Sequence, residues 1–90
     1  MKFTAHGKHR VVERGISEAQ ILRAISKPTF TFYDLSSAAN IVFKRLNGQH
    51  LLVVYAQEGK EIRVITTFIT SSAQEIIDSK LQSGTWVKIK

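Results

Sequence analysis

The sequence predicts an α+β domain in which two N-terminal helices pack on a four-stranded antiparallel meander, with a further helix near the C-terminal end. Three observations predict it. Apolar residues recur at helical spacing before Pro28. From Thr29 to Thr70 they alternate or run together as they do in strands. Asn47-Gly48 and Glu58-Gly59-Lys60 interrupt that second region where hairpin turns belong. Ninety residues suffice for one domain, spanning 1–90.

The elements follow in order. From Ala5 to Arg14 no proline interrupts a helix, and Gly15 is a natural residue for leaving one. Ser17 with Gln20 three residues on forms a capping box, which opens a second helix running to about Ser26. Ile21, Leu22 and Ile25 give that helix an apolar stripe, and Lys27-Pro28 ends it. Thr29–Leu35 alternates, with Phe30 and Phe32 on one face, and a small-residue turn at Ser36–Ala39 leads into Asn40–Leu46. Asn47-Gly48 tolerates positive φ at both positions and predicts a two-residue hairpin into His50–Gln57. The last strand is Ile62–Thr70. Because Leu51–Tyr55 and Ile62–Ile69 are apolar on both faces, these two strands belong inside the sheet. Ser72 with Glu75 predicts a second capping box and a helix to about Gln82. Gly84 ends it, and residues 85–90 extend as a short edge strand.

Composition excludes several functions. The chain has no cysteine, so disulfides, thiolate metal sites and thiol nucleophiles are unavailable, which suits a reducing cytoplasm. No apolar run approaches the ~18 residues of a membrane span, and the start has no signal-peptide hydrophobic stretch. There is no phosphate-binding glycine loop, no G-x-S-x-G elbow and no persuasive metal-ligand set around His6 and His9, so neither cofactor nor metal is expected. The net charge of +6 favours a polyanionic partner: RNA or DNA, or an acidic protein. Residues 1–30 hold most of that excess, with six basic and two acidic side chains.

Two constellations can carry chemistry. His6, Arg10 and Arg14 fall at i, i+4 and i+8 and share one helix face, where two guanidiniums suit phosphate oxygens and an imidazole can move a proton. The same spacing fits a solvated basic face whose arginine stems cover the edge of the core. The second constellation comes from the Asn47-Gly48 turn, which pairs Arg45 with His50, either as a phosphate site or as two exposed side chains at a sheet end. The next hairpin leaves its register open. A Glu58-Gly59 loop sets Thr67 beside His50; a loop including Lys60 sets Phe68 there and Thr66 beside Leu52. The hydroxyls of Thr66 and Thr67 are candidates in either case.

The opening His6-Gly-Lys-His-Arg10-Val-Val-Glu-Arg14-Gly15-Ile16-Ser17, with Ile21, Ala24, Ile25 and Pro28, resembles the H-x3-R-x3-R-G-I-S start of a family of small bacterial domains of unknown function. Val64-Ile65-Thr66-Thr67-Phe68 is similar to that family's final-strand I-T-x-aromatic signature. Phe68 stands where tyrosine is commoner, so no phenol is available there. The similarity runs from Lys2 to Phe68. The family has been grouped with the barnase–EndoU–colicin–RelE fold, and the resemblance implies a RelE-like domain with His6, Arg10, Arg14 and Thr66 at motif positions. What it implies for function is a metal-independent endoribonuclease, the toxin of a toxin–antitoxin pair, with RNA as substrate and an antitoxin as partner. The alternative is a non-catalytic basic module that binds RNA or an acidic protein.

Overall fold

The computed structural model describes residues 1–89, without the side chains at positions 6, 10, 12, 13 and 14. Nine elements follow one another: β1 (Lys2–Phe3), α1 (Ala5–Arg14), α2 (Glu18–Ser26), β2 (Phe30–Asp34), β3 (Ala39–Arg45), β4 (His50–Glu58), β5 (Glu61–Thr70), α3 (Ala73–Gln82) and β6 (Trp86–Lys88). The strands form one mixed sheet of six in the order β1-β5-β4-β3-β2-β6. This corrects the four-stranded antiparallel meander. The four expected strands are present as β2 to β5 and pair antiparallel, but β1 adds to β5 in parallel and β6 adds to β2 antiparallel. Two residues cannot display a strand period, so Lys2-Phe3 carries no signal of its own; its pairing with Arg63 and Val64 is purely tertiary.

Both faces of the sheet are covered. On one, Ile16, Ile21 and Ala24 around α2 pack on Val42, Leu51, Val53 and Val64, with Val11 of α1 and Tyr55 at the margin. On the other, Ala73 and Ile77 of α3 and Trp86 pack on Phe32, Ile41, Phe43 and Leu52. Double coverage is why β4 reads as a continuous apolar run. The second core is mostly aromatic, with Trp86 5.5 Å from Phe32 and 6.0 Å from Phe43 between ring centroids.

Local chemistry sets the boundaries. The Ser17 capping box forms in full: Gln20 N–H donates to Ser17 Oγ at 3.1 Å, and Ser17 N–H donates to Gln20 Oε1 at 2.8 Å. Gly15 leaves α1 with φ of 66°. The expected capping box at Ser72 does not form. Ser72 N–H donates instead to Thr70 Oγ1 at 2.9 Å, so the donor that Glu75 would have accepted is already used.

The Asn47-Gly48 hairpin has the predicted register, with Leu46 N–H donating to the Gln49 carbonyl at 2.7 Å and Arg45 opposite His50. The next hairpin follows neither expected register. Its loop is Gly59-Lys60, with Glu58 opposite Glu61, and a bulge then leaves Ile65 without a partner between Val64 and Thr66. Thr70, not Thr67 or Phe68, therefore faces His50, while Thr66 faces Val54 and Thr67 faces Val53.

In the turn after β2, Asp34 Oδ1 accepts from Ser36 N–H at 2.9 Å and Ser36 Oγ at 2.7 Å, and these bonds hold the Asp34 carboxyl below its ordinary pKa. The same turn puts Ala38 at φ 55°. An L side chain in that region costs about 1–2 kcal/mol, against about 0.5–1 kcal/mol for the extra backbone freedom of glycine. Ala38→Gly is thus expected to raise the midpoint of thermal unfolding by a few degrees in a circular-dichroism melt; a lower midpoint would contradict the left-handed turn.

Candidate nucleic-acid interface

α1 is fastened to the sheet at the β5 bulge. Thr4 is its N-cap, and the Thr4 hydroxyl accepts from Gly7 N–H at 3.0 Å while donating to the Ile65 carbonyl at 2.8 Å. Thr4 N–H donates to the neighbouring Val64 carbonyl at 2.9 Å. Gly7 is buried, and a Cβ built on it would lie 2.5 Å from the Val64 carbonyl oxygen. The helix rests there on main chain, with no room for a side chain between. Sequence reasoning missed both residues. The available signal was a threonine three positions before a glycine inside a helical stretch.

Lys8 and Val11 line a hollow with Lys2 and Phe3, so that flank of α1 faces β1. Positions 6, 10 and 14 recur at i, i+4 and i+8 along α1. The side chains of His6, Arg10 and Arg14 lie outside the described residues. On β4, Tyr55 is half-buried on the α1 side of the sheet, opposite Val64, and burial pushes its phenol pKa up.

The two threonine candidates separate. Thr67 is fully buried, and its hydroxyl donates to the Leu52 carbonyl at 2.8 Å, so the group serves the sheet. Thr66 shares the opposite face with Val54, under α3 rather than α1. His50 also lies on that second face, its ring stacked on Phe30 at 6.0 Å between centroids and edge-on to Phe43 at 6.4 Å. The fold therefore brings neither Thr66 nor His50 to the α1 face.

The Arg45–His50 pair does form a site of its own. The two residues line a hollow of about 290 Å³ with Thr29, Phe30, Gln49 and Gln74. Arg45 is positioned by its backbone, whose N–H donates to Thr29 Oγ1 at 2.9 Å. The hollow thus offers a guanidinium, an imidazole seated on an aromatic ring, a hydroxyl and amide groups. Guanidinium and amide donors suit an anion with several oxygens. Among the described residues no three His, Asp or Glu side chains are grouped to hold a metal ion, and no helix is long and apolar enough to cross a membrane.

Comparison with known proteins adds one finding. No curated protein and no solved structure matches the sequence. A match to a family described as "Domain of unknown function (DUF4258)" covers residues 3–69, from β1 through nearly all of β5. That span holds α1, its seat on the β5 bulge, and the Arg45–His50 hairpin, and leaves out α3 and β6. The chain therefore belongs to the DUF4258 family, with α3 and β6 added outside the family's matched segment.

Proposed function

We propose that this domain is a metal-independent endoribonuclease with a RelE-like arrangement, acting through the stripe His6, Arg10 and Arg14 on α1. The observation that supports it is the seat of α1: a helix resting on main chain at Gly7 and held through Thr4 keeps one face in a fixed relation to the sheet. Phosphoryl transfer is catalysed mainly by such positioning, together with charge stabilisation. His6 takes the proton of an RNA 2′-hydroxyl, the O2′–P bond forms as the P–O5′ bond breaks, and the leaving oxygen takes a proton from water. Arg10 and Arg14 hold the phosphoryl oxygens, and the product ends in a 2′,3′-cyclic phosphate. In a toxin–antitoxin pair, an acidic partner would cover this same basic stripe.

A second reading, a basic module that binds RNA without cutting it, is favoured by the placement of Thr66 and His50 on the other face of the sheet. Incubating the protein with bulk RNA in excess chelator separates the two. The nuclease reading expects fragments with cyclic phosphate ends. No cleavage of any RNA, with or without ribosomes, would leave the binding module.

A further inference from the structure

The end of the sheet that carries the Asn47-Gly48 hairpin gathers cations from two elements distant in sequence. Arg23 and Lys27 come from the last turn and cap of α2, and Lys44 and Arg45 from the end of β3. They line three hollows that share walls. One of about 360 Å³ lies between Arg23, Lys44 and Arg45; another of about 530 Å³ lies between Arg23, Lys27 and Lys44; the third is the Arg45–His50 hollow. Arg23 and Lys44 belong to the first two, and Arg45 joins the first to the third, so the hollows form one track.

Among the described residues no Asp or Glu lines any of the three. Lys44 Nζ donates to a neutral group, the Lys27 carbonyl at 2.8 Å, which draws two cations together instead of neutralising one. Ion pairs among the described residues join Met1 to Glu61 and Arg63 to Glu58, at the opposite end of β4 and β5. Four cations held close without a carboxylate repel one another, and an anionic ligand relieves that repulsion.

The shape narrows the ligand. Lys44 pairs with Leu51, on the face covered by α1 and α2, whereas Arg45 pairs with His50, on the face covered by α3. The track therefore turns round the end of the sheet. A stiff duplex cannot follow that turn, but a flexible single strand can. At the far end, the Phe30–His50 ring pair offers a flat surface to a base. An acidic protein would need apolar anchors to seat it. The exposed large apolar side chains Leu22, Leu35, Leu81, Val87 and Ile89 line none of the three hollows.

We infer that Arg23, Lys27, Lys44, Arg45 and His50 form a binding track for the sugar-phosphate backbone of a single-stranded polynucleotide. It is RNA if the reading above holds, on which the inference rests. The track residues come from α2, β3 and β4 and not from α1, so binding and cleavage separate by mutation.

The test is fluorescence anisotropy with a labelled single-stranded oligoribonucleotide of about twelve nucleotides, the DNA strand of equal sequence, and the RNA duplex. The proteins are the His6→Ala form, which keeps the probe intact, the same form with Arg23→Gln and Lys44→Gln, and a control with Lys60→Gln and Lys80→Gln that loses equal charge elsewhere. The track variant is expected to bind single-stranded RNA at least tenfold more weakly. Its slope of log affinity against log salt should be shallower by about 1.4, since each lost phosphate contact removes about 0.7 for single strands. The control should keep affinity and slope, and the duplex should bind more weakly than the single strand. Equal losses in control and track variants, unchanged binding in the track variant, or no RNA binding at all would overturn the inference. Tighter binding of the DNA strand would keep the track and move its ligand to DNA. Binding with this pattern by a wild-type protein that never cuts RNA would sink the nuclease reading alone. Cleavage at an unchanged KM by the track substitutions in a His6 background would sink the track alone.

Discussion

Replacing Gly7 by alanine is expected to lower the thermal midpoint by several degrees and to loosen α1 from the sheet. A Cβ at this position would sit 2.5 Å from the Val64 carbonyl oxygen, 3.2 Å from the Ile65 carbonyl oxygen and 3.2 Å from the Val64 carbonyl carbon. Everything it meets is main chain, so no side chain can swing away. Overpacking of this kind costs about 1–3 kcal/mol, whereas alanine gains about 1 kcal/mol over glycine in helix propensity. The clash outweighs the gain because relief requires lifting the helix, which also stretches the bonds from Thr4 to Val64 and Ile65. A net loss of up to about 2 kcal/mol moves the midpoint of a domain this size by up to about 16 °C. Lys8→Ala, on the exposed neighbouring position, should change little. A higher midpoint for Gly7→Ala, as propensity alone demands, would show that the helix is not seated on the bulge.

His6→Ala is expected to slow single-turnover cleavage of RNA by about 10²–10⁴-fold, the usual loss for one proton carrier. Affinity should barely change. Phosphate contacts dominate binding to nucleic acid, and they belong to arginine and lysine side chains. The pairing of measurements matters: a stability defect would lower both quantities together, while a missing base lowers only the rate. Cleavage that survives the substitution would remove His6 from the mechanism and shift attention to His50, the imidazole on the far face of the sheet.

What could be read in the sequence was what local chemistry decides. The Ser17–Gln20 capping box involves residues three apart, and the Asn47-Gly48 turn sets the Arg45–His50 pairing through two residues. The placement of Thr66 and Thr67 could not be read in this way. A slip of one residue exchanges the two faces of a strand, and the bulge at Ile65 makes that slip where no glycine or proline marks it. The carbonyls beside the bulge are taken by Thr4, at the other end of the chain. The basic track was hidden for a similar reason. Counting charge by thirds of the chain put the excess near the N-terminus, but Arg23 and Lys27 gain their meaning from Lys44 and Arg45, which only the packing of α2 beside β3 supplies.

The long reach between Thr4 and Ile65 also orders events during synthesis. A bond between residues 61 positions apart cannot form until the later one exists. At about 5–20 residues per second, α1 leaves the ribosome roughly 3–12 s before the strand it rests on. Until then its basic face has no sheet behind it, and the hairpins of β2 to β5, closed over short distances, assemble without it. The α1 stripe thus takes its final position late, after most of the chain has been made. The seat that fixes α1 is complete only once that separation of 61 positions has been closed.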